Sequence, residues 1–258
     1  MDFDVFDKEM RRFEQSLDRL IPDDVYLVAR LDGRGFTRLT KKEWDLEKPF
    51  DIKFRDAMVD TVKHLLADCG FRMVYGYTQS DEISVLFHKD DTAFSHKERK
   101  LLTILSAEAS VKFSELTGRH AVFDCRLLPL PTIADVIDCF RWRQEDAHRN
   151  SLNSHTYWAL RKSGVSQSAA ERRMSGISND EKIAIRSNLG IDFSTVPLWQ
   201  KYGVGIYFAD ENRKGFNPKT NTETDCVRRI LKEDYFLPKG EEYGDFVRSL
   251  VATSLDAE

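Results

Sequence analysis

The sequence predicts an α+β fold: a ferredoxin-like core, in which an antiparallel sheet carries helices on one face, followed by a helical and β-hairpin C-terminal half. Three observations predict it. Residues 25 to 32, VYLVARLD, alternate between apolar and more polar positions. Residues 51 to 69 place Ile52, Phe54, Met58, Val59, Val62, Leu65, Leu66 and Cys69 at near-helical spacing. A strand pair, a second helix and a further strand then follow, so that residues 24 to 130 read β-α-β-β-α-β, the split βαβ order.

In the first strand Val25, Leu27, Ala29 and Leu31 lie on one side, and Tyr26, Val28, Arg30 and Asp32 on the other. Asp32 therefore arrives on the more polar face, which this arrangement leaves uncovered. The helix that follows stops at Gly70, a suitable C-terminal residue. FRMVYGY and ISVLFH flank TQSDE as a hairpin, with Asp81 at or beside its turn, although alternation does not say which way a turn residue points. Ser95 with Glu98 forms a capping-box pattern, opening a helix through Leu101, Leu105, Ala109, Phe113 and Leu116 to Gly118. HAVFDCRLLPLP supplies the next strand. The order is also that of polymerase palm domains.

From residue 133 the pattern turns helical, over 133 to 163, 168 to 174 and 180 to 188. A strand pair is expected at 198 to 209 and 222 to 232, joined by the turn-rich DENRKGFNPKTN. The expected division is a palm-type catalytic region over 1–132 and a mainly helical region over 133–258 packed on it. Residues 1 to 20 and the tail after 235 carry no chemical signal.

The chain has 258 residues, 41% of them hydrophobic, enough for a real core. No stretch approaches an apolar membrane span, and MDFDVFDKEMRRF lacks the order of a secretory signal, so no membrane contact and a cytoplasmic location are expected. Cys69, Cys125, Cys139 and Cys226 are far apart without a C-x-x-C pair, and read as reduced thiols. The net charge of −4 lacks the basic surplus of most nucleic-acid binders, so any such contact must rest on local charge. Arg141, Arg143, His148, Arg149, Arg161 and Lys162 supply it on one helical segment, followed by Arg172, Arg173 and Lys182. Trp142 and Trp158, near Phe140, Leu152 and Leu160, are expected in the core.

Asp32 in RLDGRGFTRLT and Asp81 in YTQSDEISVLF are the chemical centre of this reading. Either alone is an ordinary turn residue. In the split βαβ order, however, the end of the first strand and the hairpin are neighbours, and two carboxylates suffice for magnesium when water and phosphates complete its shell. Two such ions, roughly 3.5 to 4 Å apart, would activate an attacking oxygen and steady leaving pyrophosphate. Gly33 would let its carbonyl approach an ion, and Arg34 or Lys48 would meet a triphosphate.

RLDGRGFTRLT, KPFDIKFRDAM, YGYTQSDEISVLF, FDCRLLPLP, FRWRQEDAHRNSLNSHTYWAL and DEKIAIRSNLGIDF together resemble, in order and spacing, the histidine-tRNA guanylyltransferase superfamily, including its guanylyltransferase-like members. The resemblance runs from about residue 24 to 210. It implies a nucleotidyltransferase that activates a tRNA 5′ end with ATP or GTP and then extends that end in the 3′ to 5′ direction, with two magnesium ions. It implies Asp32, Asp81 and the Gly33 carbonyl as metal ligands, with Asp32 and Asp81 catalytic. Arg34, Gly35, Phe36 and Thr37 would border the triphosphate, with Lys48 near the phosphates and Ser80 and Glu82 beside the second ligand. Glu82 also reads as an acceptor that fixes an arginine or lysine. Arg143, His148, Asn150 and Lys182 would handle the tRNA, and the assembly would be a homotetramer, a dimer of dimers.

HRNSLNS keeps His148 and Asn150 but departs from the His-Ile-Asn-Asn motif of the eukaryotic enzymes, and Thr37 stands where they have histidine. These departures resemble the branch that repairs 5′-truncated tRNA on a template. Strict addition of G−1 to histidine tRNA is the alternative. A palm-domain nucleotide cyclase and a catalytically silent RNA-binding protein are the rival classes.

Overall fold

The computed structural model describes residues 2–217 and 221–255. Helix α1 (Phe3–Glu14) precedes β1 (Tyr26–Gly33), and a single turn α2 (Phe36–Arg38) runs into a π-helical turn at Leu39–Glu43. Then come α3 (Ile52–Ala67), the hairpin β2 (Met73–Gln79) and β3 (Glu82–Phe87), α4 (Glu98–Thr117), β4 (Phe123–Leu130) and the long α5 (Ile133–Lys162). After α6 (Gln167–Met174), α7 (Asn179–Asn188) and α8 (Leu198–Tyr202), the chain ends in β5 (Val204–Asn217), β6 (Thr222–Asp234) and α9 (Gly240–Leu255).

The strands form one antiparallel six-stranded sheet in the order β4-β1-β3-β2-β5-β6. Its first four members have the split βαβ order, and the C-terminal hairpin extends the same sheet beside β2. The inward side chains of β1, Ala29 and Leu31, pack with α3 and α4 around Phe54, Val62, Leu65, Leu105 and Phe113, all almost fully buried. That burial is why the alternation of β1 and the helical spacing of 51 to 69 were readable.

The other sheet face is not uncovered, contrary to the expectation of helices on one face only. Val28, Tyr75, Tyr77, Leu86 and Tyr207 on that face pack against Val136, Ile137 and Phe140 of α5 and Tyr243, Val247 and Val251 of α9. The cause lies in the sequence: Val28, Tyr75, Tyr77 and Leu86 make this face too apolar to be left in water. Tyr75 and Tyr243 hydroxyls hydrogen-bond at 3.0 Å inside this layer. The layer stops short of the sheet end that carries Asp32, so the acidic end is a recess rather than an open surface.

Four local expectations fail. Lys97, not Ser95, precedes α4, and no side chain caps it, because Ser95 sits in a short 3-10 turn at φ 51°. Residues 198 to 202 are helical and β5 starts at Val204. Trp142 is 53% exposed, flanked by the guanidinium carbons of Arg30 (5.7 Å) and Arg143 (4.4 Å). At its far end β5 runs on to Asn217, so residues 210 to 217 of the expected DENRKGFNPKTN turn are strand paired with β6, and 218 to 220 lie outside the described residues. No helix among the described residues is long and apolar enough to cross a membrane.

Candidate functional site

The β2–β3 turn consists of Ser80 and Asp81, with Ser80 in the left-handed region at φ 55°. It is tied to the end of β1: Gly33 N–H donates to the Asp81 carbonyl at 3.0 Å, and Asp32 lies opposite Glu82 in the β1–β3 register and opposite Asp124 in the β1–β4 register. Asp32 and Asp81 therefore meet at one corner of the sheet. Burial pushes the Asp81 carboxyl up from its ordinary range and the charge of Asp32 pushes it further, against hydrogen bonds from its own backbone N–H and from Ser80 Oγ, the latter at 3.0 Å. No lysine or arginine among the described residues forms an ion pair with either carboxylate.

Gly33 is glycine for a packing reason. A Cβ there would sit 2.5 Å from the ring of Phe36, which is 2% exposed and packs on Phe54, Phe113 and Phe123. Phe36 thus anchors the loop in the core, and Gly35 at φ 77° makes the bend that returns the chain to it. Arg34 and Gly35 are exposed beyond this anchor.

Two cavities meet at Asp81. One, of about 350 Å³, is lined by Asp32, Asp81, Glu82, Arg143, Asp146 and Asn150, among others. The second, of about 250 Å³, is lined by Phe36, Thr37, Thr40, Lys48, Arg55 and Trp158, and shares Ser80, Asp81 and Ser154 with the first. Lys48 donates to the Thr40 carbonyl, and burial lowers its pKa from the usual lysine value. The recess is apolar enough on one side for a base and polar enough on the other for charged groups.

Arg143, expected at an RNA surface, is occupied otherwise. It is 7% exposed, and its Nε and Nη2 donate to the two Glu82 carboxylate oxygens at 2.6 and 3.0 Å. Nη2 also donates to Asp146 at 2.7 Å, and Asn150 donates to the same carboxylate at 3.3 Å. This clamp fixes the residue that follows Asp81. Asn150 faces the Asp32 cavity; His148, two residues away on the helix, points to the opposite side, where it stacks on Tyr202 at 5.2 Å. Lys182 on α7 lines neither cavity, and its Nζ lies 3.4 Å from Asn179 Oδ1.

Sequence reasoning missed Asp146, Asn153 and Ser154 in the cavity wall. Their signal was periodic: Arg143, Asp146, Ala147, Asn150, Asn153 and Ser154 form one helical stripe of α5.

The comparisons with known proteins agree over nearly the whole chain. The family model described as tRNAHis guanylyltransferase matches residues 7–131, and that described as Thg1 C terminal domain matches residues 134–234. The tRNA(His) guanylyltransferase of Debaryomyces hansenii is 33% identical over 80% of this chain and 82% of its own length. The crystal structure of the Saccharomyces cerevisiae enzyme superposes with a TM-score of 0.70 at 26% identity, covering 77% of this chain and 91% of that one. A bacterial Thg1-like protein in complex with GTP gives 0.71 at 25% identity over 96% and 99% of the two chains. The same bacterial class in complex with ATP gives 0.73 at 23% identity over 95% and 99%, a likeness of fold.

Proposed function

The chain belongs to the tRNAHis guanylyltransferase family and is a nucleotidyltransferase; from that premise we propose that its palm-like corner adds nucleotides to the 5′ end of tRNA with magnesium held at Asp32 and Asp81. The observation that carries this reading is the convergence of two carboxylates, one desolvated, with no lysine or arginine among the described residues paired to either. Uncompensated buried acids are costly unless a cation joins them.

The residues fit magnesium. Among the described residues no group of three or more His, Cys, Asp or Glu side chains is arranged for a metal. The donors would be two carboxylates and a backbone oxygen at Gly33, with substrate oxygens and water completing the shell, a common manner of holding this hard cation. Bound there, two ions would activate the attacking hydroxyl and neutralise charge on departing pyrophosphate. The protein's own part is placement. Ser80 orients the Asp81 carboxylate, the Arg143 clamp on Glu82 fixes the strand start behind it, and Thr37 and Lys48 border the neighbouring cavity where a nucleotide would lie. Asn150 and the exposed Arg149 of α5 would meet the RNA.

GTP and ATP are the nucleotides that the structural relatives were solved with, and either would enter this recess as activator or as the added unit. Guanylyl transfer to tRNA(His) is the activity in the relatives' names, and G−1 addition is the reading of this chain that follows it. Template-dependent repair is favoured by HRNSLNS and by Thr37, where the eukaryotic enzymes are expected to differ. A homotetramer is part of the same proposal, and sedimentation would read it.

The deciding assay supplies magnesium, ATP and labelled GTP with two substrates: full-length histidine tRNA, and a tRNA lacking its first 5′ nucleotide. Extension of the truncated tRNA supports repair, and extension of the full-length one supports G−1 addition. Release of cyclised mononucleotide, or RNA retention with no turnover, would overturn the proposal.

A further inference from the structure

The face of α5 turned away from the Asp32 cavity carries His148, Ser151 and His155, spaced i, i+3 and i+7. It packs against α7, α8 and the turn Phe193–Thr195. The ring of Phe193 is the hub. His148 and His155 approach it at 5.8 and 5.7 Å between centroids, Lys201 Nζ at 5.4 Å, and the Arg186 guanidinium carbon lies 4.0 Å from its centre.

Arg186 is 1% exposed, yet none of its three side-chain nitrogens has a hydrogen-bond partner. Ser151 Oγ and His155 Nε2 are likewise buried and unpartnered. The carboxylate that acts on Arg186 is Asp192, which is exposed and already accepts from Ser194 N and Oγ at 2.8 and 2.5 Å. Lys201 is spent on the carbonyls of Phe193 and Ser194, at 3.2 and 3.1 Å.

A guanidinium cannot lose its proton, so Arg186 cannot escape burial by becoming neutral. Stacking on Phe193 offsets part of the cost but offers no acceptor. Water would satisfy the donors without balancing the charge; an oxyanion does both, and a phosphate matches the guanidinium fork. Burial lowers both histidines, His155 to about 4, so near pH 7 they are neutral and add no charge of their own. Of these residues His155 is also part of the wall of a cleft of about 320 Å³, whose lining includes Lys48, Trp158, Lys162, Ile191, Trp199 and Gln200.

We propose that the α5–α7 junction is a second, metal-independent oxyanion site, in which Arg186, Ser151 and His155 bind a phosphate group that enters past Lys48 and Lys162. It stands apart from the Asp32–Asp81 centre and does not depend on it. The phosphate could be carried on an RNA 5′ end or be free in solution, and the test separates the two.

Thermal unfolding is followed in EDTA, with inorganic phosphate against chloride at matched ionic strength, and with one short RNA bearing either a 5′-phosphate or a 5′-hydroxyl. Wild-type protein at a hundredfold excess over Kd should melt on the order of 5 °C higher with inorganic phosphate or with the phosphorylated RNA. Protection by the phosphorylated RNA alone assigns the site to an RNA end, and protection by inorganic phosphate assigns it to free phosphate; both support the site. Arg186→Met should melt at or above wild type without phosphate and show no response, while Arg186→Lys should respond weakly. The proposal falls if no phosphate arm protects wild type, if Arg186→Met is protected equally, or if that variant is markedly less stable or unfolded without phosphate.

Discussion

The two faces of α5 treat buried charge in opposite ways. On one, Arg143 is held by Glu82 and Asp146, its Nε and Nη2 both donating to carboxylate oxygens. On the other, Arg186 shares the Phe193 ring with His148 and His155, and none of its side-chain nitrogens has a hydrogen-bond acceptor. The matched cluster explains itself as structure, since it locks the helix to the strand that begins after Asp81. The unmatched one has no structural explanation, and neither has the Asp32–Asp81 pair, its acidic counterpart across the helix. The contrast teaches that in this fold paired charge positions and unpaired charge receives.

The sharpest way to break that distinction is at the acids. Asp32→Ala and Asp81→Ala should each lower the rate of 5′ addition by ~10²-fold or more while the protein stays folded, because they remove charge stabilisation and not packing; near-normal rates in both would dissolve the proposed centre. Arg143→Met should behave differently, losing on the order of 2 kcal/mol in denaturant unfolding, because the half-buried Glu82 carboxylate loses its bidentate partner while Asp146 keeps Arg149 and Asn150. Those carboxylates remain 23% and 20% exposed, which holds the loss below that of a fully buried pair. An unchanged unfolding midpoint would show that the clamp does not hold the helix.

A third expectation concerns pH. The folded pKa of Asp81 is raised, so the native state binds its proton more tightly than the unfolded chain does. In metal-free protein this group's contribution to stability is favourable below the unfolded carboxylate value and lost as pH rises through the raised one. Asp81→Asn should therefore be as stable as wild type or more so near pH 7 in EDTA, and its stability should be flatter across the acid range. A variant less stable than wild type there would contradict the assigned cause. The smallest effect is expected in the second core layer: Tyr243→Phe removes one buried hydrogen bond to Tyr75 and should cost about 1 kcal/mol with activity unchanged.

The fold was legible where burial is one-sided and local. Ala29 and Leu31 in β1 and the Phe54–Leu66 stripe of α3 write their environment into the spacing of their residues. The covering of the second face was not legible, because part of it comes from α9, whose Tyr243, Val247 and Val251 join α5 against Tyr75 and Tyr77 from far along the chain. The Ser95–Glu98 pattern failed for the opposite reason: local chemistry favoured a cap, and the 3-10 turn around Ser95 took the backbone elsewhere. For the site, Asp32 and Asp81 were visible as strand-end acids, and their meeting followed from the strand order. The occupation of Arg143 could not be read, since a basic residue on a helix looks the same whether it faces water or a buried carboxylate. Arg186 was passed over within DEKIAIRSNLGIDF because nothing in its neighbours announces burial.

The most direct test of the central claim is a magnesium titration of EDTA-treated protein in the presence of GTP, comparing wild type with Asp32→Asn and Asp81→Asn. The account predicts saturable magnesium binding by wild type and at least a ~10-fold loss of affinity in each variant. Equal magnesium affinity in all three proteins would contradict it.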